Sequence, residues 1–170
     1  MLTYPKTAER WGVFEASLPG KTEGNPFTDY TMEATFVSRG ETVHVNGFYD
    51  GDGMYRVRFM PSFPGEYTFT VSGSFSDDGE QAGLFTVLPA SAGNHGPVRA
   101  RGFHFEYEDG TPYYPMGTTA YVWELQREEL RRGTLEELAK GYFNKIRFCV
   151  FPKHYLYNLH DPVSFPYEGT

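Results

Sequence analysis

The chain has 170 residues, which is enough for one domain and the start of a second. Its 22 acidic and 15 basic side chains give a net charge of -7 without any run of Lys or Arg, which argues against nucleic-acid binding. No stretch approaches the roughly 20 apolar residues of a membrane helix, and the first residues lack the basic-then-apolar pattern of a secretory signal, so we predict a cytoplasmic protein with no membrane partner.

The first half of the chain alternates apolar and polar residues in short runs. The runs 32–36, 55–59 and 67–71 place apolar side chains at every second position, which predicts half-buried antiparallel strands. Turn-forming pairs such as Pro19-Gly20 and Asp78-Gly79 separate the runs. The segment 64–67, Pro-Gly-Glu-Tyr, is similar to the late hairpin of immunoglobulin-like folds. We therefore predict an immunoglobulin-like β-sandwich over residues 1–89.

A change of pattern follows the small, breaker-rich segment 90–97, which predicts a linker. A hairpin with strands near 103–107 and 112–115 comes next, and 115–123 reads as a short buried strand. A helix is predicted within 124–141, with Thr134 as N-cap and Glu137 at capping-box spacing. The apolar run 145–151 predicts a parallel strand buried on both faces. The class is mainly β: a sandwich, a hairpin and one βαβ unit.

Several motifs in this order resemble a known family. They are Trp11-Gly12-Val13-Phe14-Glu15, Gly47-Phe48-Tyr49-Asp50-Gly51, Tyr55-Arg56-Val57-Arg58-Phe59-Met60-Pro61, Tyr114-Pro115-Met116-Gly117-Thr118-Thr119 and Phe143-Asn144-Lys145-Ile146-Arg147. The first three resemble the N-terminal β-sandwich, of unassigned role, that precedes apiosidase-like glycoside hydrolase barrels. The last two resemble the opening of the barrel itself, and together the motifs cover nearly the whole chain.

The resemblance implies hydrolysis of oligosaccharides by a TIM barrel, with 98–170 as its incomplete beginning. Such hydrolysis normally uses two carboxylates, and the resemblance places them on later strands. A (β/α)8 barrel needs about 250 residues, whereas about 75 follow the linker. We therefore expect no catalytic pair and no cofactor in this chain, and we predict an N-terminal hydrolase fragment that is inactive alone.

Residues at the carboxyl ends of the predicted barrel strands are candidates for a sugar subsite, because barrel active sites lie there. The first strand offers Tyr121 and Trp123, whose rings could stack on sugars or simply pack on the next barrel layer. The segment after the second strand offers four polar or aromatic candidates: Lys153, His154, Tyr155 and Asn158. Arg147 could either hold catalytic carboxylates ionised or form a structural ion pair.

Other chemistry-bearing residues favour ordinary structural roles. Cys149 lies in an apolar run and reads as a small core residue. The acids Glu106, Glu108 and Asp109 alternate with aromatics beside a turn and read as solvated. The Asp-Gly repeat at 50–53 is turn chemistry without EF-hand spacing. The five histidines show no zinc spacing, so no metal is predicted.

Three roles compete for the sandwich. It could belong to an enzyme fragment, it could be a carbohydrate-binding module that uses exposed aromatics such as Tyr49 and Tyr55, or it could be purely structural and brace the barrel. A row of exposed aromatics would favour binding, whereas buried aromatics would favour bracing, which we prefer. The strand predicted at 145–151 would present open edges, so we expect it to be disordered or covered by another chain through self-association.

Overall fold

The computed structural model describes residues 1–149 and consists mainly of β-strands. They are β1 (Thr7–Glu9), β2 (Phe14–Pro19), β3 (Glu33–Val37), β4 (Thr42–Asn46), β5 (Phe48–Tyr49), β6 (Met54–Phe59), β7 (Gly65–Ser72), β8 (Gln81–Leu88), β9 (Val98–Arg101), β10 (His104–Tyr107), β11 (Pro112–Tyr113), β12 (Gly117–Thr119) and β13 (Lys145–Arg147). A 3-10 turn at Trp123–Leu125 precedes the helix α1 (Glu128–Ala139). The chain forms two compact units, of which the first is Met1–Pro112 and the second begins at Tyr113.

Two sheets of the first unit share one core. The larger has the order β1-β8-β7-β3-β4 and the smaller the order β2-β6-β5, and only the β1–β8 pair is parallel. Rings from both sheets meet between them: Phe14 stacks on Phe85 at 3.9 Å between centroids, and Phe36 stacks on Phe59 at 4.2 Å. This arrangement is that of a β-sandwich closed by its aromatic residues.

The alternating runs bury the side chains that the sequence predicted. Every apolar residue of the three runs is at most 5% exposed, namely Met32, Ala34, Phe36, Tyr55, Val57, Phe59, Tyr67, Phe69 and Val71. Their neighbours on the strands point outwards, because successive side chains of a strand leave opposite faces. The prediction of half-buried antiparallel strands is therefore confirmed.

The predicted linker is tied to the sandwich by side-chain hydrogen bonds. Glu9 Oε1 accepts bonds from the backbone N of Ser91 at 2.8 Å, from its hydroxyl at 2.9 Å and from Asn94 Nδ2 at 2.8 Å. The bond from the Ser91 backbone is the largest cause that lowers the pKa of Glu9. Trp11 lies against Gly96, whose φ is +80°. Residues 91–96 thus follow a fixed path along the first unit.

The hairpin after this segment has a strand that the sequence did not predict. The strands β10 and β11 confirm the predicted hairpin, but β9 pairs with β10 on its other side, so the sheet has three strands in the order β11-β10-β9. The pattern of β9, Val-Arg-Ala-Arg, alternates over four residues only. Such a short run carries little periodic signal.

The second unit contains a strand, a helix and a strand, as predicted. The strands β12 and β13 pair in parallel, with Thr118 opposite Ile146, and α1 connects them. The 115–123 run forms a strand only over the three residues of β12. The expectation that the second strand is buried on both faces is wrong for β13, where only Ile146 is half-buried. The part of the 145–151 prediction beyond Cys149 lies outside the described residues.

The predicted N-cap at Thr134 is wrong. The helix begins at Glu128, and its N-cap is Arg127, which makes no side-chain capping bond. Thr134 lies inside α1, and its hydroxyl donates to the carbonyl of Leu130 at 2.7 Å. A threonine in a helix can satisfy its hydroxyl on the carbonyl four residues back, so the capping-box spacing to Glu137 is coincidental here.

Candidate functional site

The carboxyl ends of β12 and β13 run side by side beyond the strands themselves. Ala120 N donates to Arg147 O at 2.8 Å, and Cys149 N donates to Tyr121 O at 3.0 Å. The half-buried Cys149 therefore serves this pairing through its backbone. Since both strands end at the same edge, side chains that follow β12 are presented together with residues at the end of β13.

A pocket of about 360 Å³ opens at this edge. Its wall includes two of the residues singled out from the sequence, Tyr121 and Trp123, and it is completed by Gln126 and by Leu130 and Thr134 of α1. Tyr121 is 44% exposed, so part of its ring is accessible. Aromatic rings with an amide and a hydroxyl nearby are the groups that proteins use to stack on and hydrogen-bond to sugar-like ligands.

The indole of Trp123 is held from two directions. Its Nε1 donates to the carbonyl of Arg131 in α1 at 3.0 Å, and its ring meets Phe148 edge-on at 5.6 Å between centroids. A tryptophan fixed on both the helix and the second strand has a defined orientation. The ring can therefore be either a preformed platform for a ligand or a packing element, which are the two alternatives left open by the sequence.

Arg147 lies on the neighbouring strand β13 and is not among the described residues that line this pocket. It is exposed, and it shares a face of the small sheet with Thr119, its register partner, and with Lys145, two residues earlier. Neither Arg147 nor Lys145 has an ion-pair partner among residues 1–149. This face presents two cations, which would attract carboxylates.

One residue of this region was not predicted from the sequence. Both carboxylate oxygens of Glu124 are buried, and within the described part of the chain neither has a hydrogen-bond partner. Burying an unpaired carboxylate is costly, so Glu124 is suited to receive a donor from elsewhere. The only signal in the sequence is its place directly after Trp123 at the end of the first strand.

The remaining predicted site residues lie outside the described residues. Lys153, His154, Tyr155 and Asn158 follow Cys149, the last residue that the structure describes. The structure therefore brings Tyr121 and Trp123 together in one pocket and places Arg147 on the neighbouring strand.

The acids of the hairpin are engaged in ion pairs. Glu106 Oε1 accepts from Arg101 Nε at 2.9 Å, and Glu108 Oε2 accepts from Arg99 Nε at 2.6 Å. Asp109 Oδ2 lies 2.7 Å from His95 Nδ1, and this bond, followed by one from Thr111 N, lowers the pKa of Asp109 to about 2. These acids have structural partners rather than the free solvation that the sequence predicted.

The aromatic pair proposed for a binding module is not an exposed platform. Tyr55 is 1% exposed, and its hydroxyl donates to Lys21 O at 2.9 Å, so it does not provide the exposed ring that the binding-module alternative needs. The half-buried Tyr49 accepts a bond from Gly53 N at 2.9 Å. The outward face of β6 instead carries Arg56, 2.5 Å from both Glu15 and Asp50. Its pairing is internal to the sandwich.

Residues 1–149 contain neither a candidate membrane helix nor a candidate metal cluster. No helix in this range is long and apolar enough to cross a membrane. In the same part of the chain, no three acidic, histidine or cysteine side chains lie close enough together to hold a metal ion.

The protein is rich in β-structure. It contains the sandwich and the hairpin sheet, and its second unit begins with a parallel βαβ arrangement that carries the strand-end pocket. Residues 7–74 match the family described as Domain of unknown function (DUF5060). The matched segment coincides with most of the sandwich, and that family carries no assigned activity.

Among solved structures, the chain is similar to a putative glycoside hydrolase from Bacteroides vulgatus. The two are 45% identical over 96% of this chain, with a TM-score of 0.89, and the chain spans about a third (32%) of the length of that protein. The Lin-41 filamin domain matches 51% of the chain at 16% identity with a TM-score of 0.35, too low to support an argument. No curated protein matches the chain.

Proposed function

We propose that this chain is the N-terminal part of a glycoside hydrolase of the apiosidase-like kind that acts on oligosaccharides, and that it is inactive alone. The supporting observation is the 45% identity, over almost its full length, to a putative glycoside hydrolase of which it spans 32%. A parent enzyme of similar size would carry about two thirds of its chain elsewhere. The catalytic carboxylates belong to that part.

The second unit supplies the beginning of a TIM barrel in this proposal. The parallel pairing of β12 with β13 and the helix between them support it, because repeated strand–helix–strand units are the building blocks of such barrels. The face shared by Lys145 and Arg147 would then turn toward acids on later strands, where the two cations would keep carboxylates ionised.

The pocket at the strand ends is proposed as one wall of a sugar subsite. Tyr121 and Trp123 provide the aromatic surface, and Lys153, His154, Tyr155 and Asn158 are proposed to add polar contacts from the following segment. Support comes from the position of the pocket, since active sites of barrel enzymes lie at the carboxyl ends of the strands.

The sandwich is proposed to brace the barrel rather than to bind carbohydrate. Its rings fill its own core, Tyr55 is buried, and the outward arginines of β6 pair with acids of the same unit. The bonds from Ser91 and Asn94 to Glu9 support the same role, because a rigid connection can transmit support whereas a flexible one cannot.

A chimera tests this function. The 170 residues replace the matched third of the Bacteroides vulgatus protein, and release of reducing sugar is measured from a panel of plant-type oligosaccharides. We expect the chimera to release sugar from at least one member and the 170-residue chain to release none. A folded chimera that is inactive on the whole panel, or an active isolated chain, would contradict the proposal.

A further inference from the structure

The three-stranded sheet β11-β10-β9 has one apolar and one charged face. In the register of β9 with β10, Ala100 lies opposite Phe105 and Val98 opposite Tyr107, so these four side chains share a face. The other face carries the pairs Arg101 with His104 and Arg99 with Glu106. The separation is complete over the four paired positions of each strand.

The charged face is satisfied within the sheet and its turn. Arg101 pairs with Glu106 at 2.9 Å, and Arg99 pairs with Glu108 at 2.6 Å. The bond from Arg99 is the main cause that lowers the pKa of Glu108. The two arginines are exposed and the two carboxylates are half-buried, and Arg99 and Glu108 line a small pocket with Trp11 of the sandwich. This face therefore already has partners within the first unit.

Part of the apolar face is exposed to solvent, whereas Tyr107 is half-buried and its ring lies 5.4 Å from that of His95. Val98 is 39% exposed and Phe105 is 47% exposed, while Phe103, at the turn between the two strands, is fully exposed. A sheet with one apolar face becomes stable when that face is covered by another layer. Fully exposed phenylalanine at a hairpin tip is also the kind of residue that anchors a protein contact.

We propose that the face formed by Val98, Ala100 and Phe105, with Phe103 at its tip, is the surface on which the sandwich unit docks to the rest of a longer hydrolase chain. The occupant is an apolar protein surface contributed by the two thirds of the polypeptide that this chain does not span. This inference rests on the proposed function and specifies where the bracing contact lies.

Size favours this occupant over a second copy of the chain. Three strands about 4.8 Å apart and four residues long, at about 3.4 Å each, give a face of roughly 200 Å². A stable interface between separate proteins needs about 800 Å² on each side. A face of this size can still hold a partner on the same polypeptide, because covalent attachment raises the effective concentration of that partner at the face. The chain spans only 32% of its hydrolase relative, which leaves ample polypeptide to supply such a partner.

Thiol labelling in two contexts tests the contact. Phe105→Cys is placed in the 170-residue chain and in the chimera described above, and the rate of reaction with a maleimide is read at that peptide by mass spectrometry. We expect labelling to be at least ten times slower in the chimera. The matched control is His104→Cys, on the opposite face of the same strand, which we expect to react at similar rates in both contexts.

A stability measurement supports the labelling result. Phe105→Glu is expected to leave the melting temperature of the isolated chain within about 2 °C of wild type, because the position is already exposed. In the chimera the same substitution is expected to lower the melting temperature by about 5 °C or more, whereas His104→Glu changes neither protein.

Equal labelling of Phe105→Cys in the chain and in a folded chimera would overturn the inference. Slow labelling of the isolated chain that becomes fast on dilution would overturn it too, because the occupant would be a second copy. If Phe105→Cys is protected in a chimera that releases no sugar, the docking surface is supported and the proposed function is refuted. If the chimera releases sugar and Phe105→Cys is not protected, the proposed function is supported and the docking surface is refuted. A chimera that does not fold counts against both.

Discussion

The contact between Trp11 and Gly96 decides how the hairpin sheet is attached to the sandwich. Trp11 has a φ of +63°, and its N–H donates to Pro61 O at 2.9 Å, which fixes the residue on the edge of the sandwich. Gly96 has a φ of +80°, and a Cβ at this position would lie 2.7 Å from the indole Cδ2. Both the backbone and the ring therefore require glycine here.

Gly96→Ala is expected to destabilise the first unit by about 2 kcal/mol, because alanine is strained at positive φ and its methyl group would displace the ring. The measurement is denaturant unfolding of the chain, followed by tryptophan fluorescence. Gly93→Ala is the matched control in the same segment. A Cβ there has no atom within 4 Å, so we expect a change within about 0.5 kcal/mol. Equal effects of the two substitutions would refute the fixed attachment.

The burial of a residue could be predicted where the residue belongs to a periodic pattern of apolar and polar side chains. The apolar residues of β3, β6 and β7 were predicted as core because strand alternation places them on one face, and they are buried. Tyr55 belongs to the same alternation, so its proposal as an exposed platform ignored that period. Trp123 and Tyr121 were found by their place at a strand end, whereas the burial of the Glu124 carboxylate depends on its surroundings and has no periodic signal.

The type of each secondary-structure element was predicted better than its first and last residues. The helix in the second unit was predicted, but its start was placed at Thr134 because the capping-box pattern occurs there. The structure begins the helix at Glu128, where two acids in the first turn complement the helix dipole without a side-chain cap. A motif of two residues cannot outweigh the surrounding helical composition, and a strand as short as β9 offers too few residues for a period to appear.

The turn between β10 and β11 should depend on pH through Asp109. Its pKa is lowered from 3.8 to about 2, first by the bond with His95 and then by the bond from Thr111 N. Because the folded pKa is depressed, the stabilisation is complete above pH 3.8 and is lost as the pH falls toward about 2.

We therefore expect wild type to melt above Asp109→Asn at neutral pH, with a difference that shrinks between pH 3.8 and about pH 2. Thermal melts of both proteins across this range measure it, and other acids cancel in the difference. A difference that stays constant down to pH 2 would show that the charge of Asp109 does not stabilise the turn.

At the scale of the molecule, composition alone predicted that segment 90–97 is a linker. Small and breaker residues are typical of flexible connections. The contacts that fix this segment are hydrogen bonds to Glu9 and packing against the ring of Trp11, both more than eighty residues earlier. The compact units divide between Pro112 and Tyr113 instead. Long-range partners of this kind have no local pattern, so single-sequence reasoning cannot find them.

In the proposed function, the molecule acts as a support and as one wall of a sugar site. The sandwich core is self-contained, the hairpin sheet has a partly exposed apolar face, and the second unit ends its first strand in an aromatic pocket. Each of these features gains a role when the chain is continued by the remainder of a hydrolase. The proposed sugar site depends most on a contact between Trp123 and the sugar.

Kinetics of the chimera with Trp123→Ala test this claim most directly, with Trp123→Phe to retain a ring and Tyr142→Ala, an exposed ring outside the pocket, as control. An aromatic stacking contact is worth about 0.5–1.5 kcal/mol beyond the area that it buries, and about 1.4 kcal/mol is a factor of ten in affinity. We therefore predict a KM about tenfold higher for Trp123→Ala and a partial recovery for Trp123→Phe. Tyr142→Ala should stay within twofold of wild type. A lower melting temperature or yield with an unchanged KM would contradict the account, because Trp123 would then only pack.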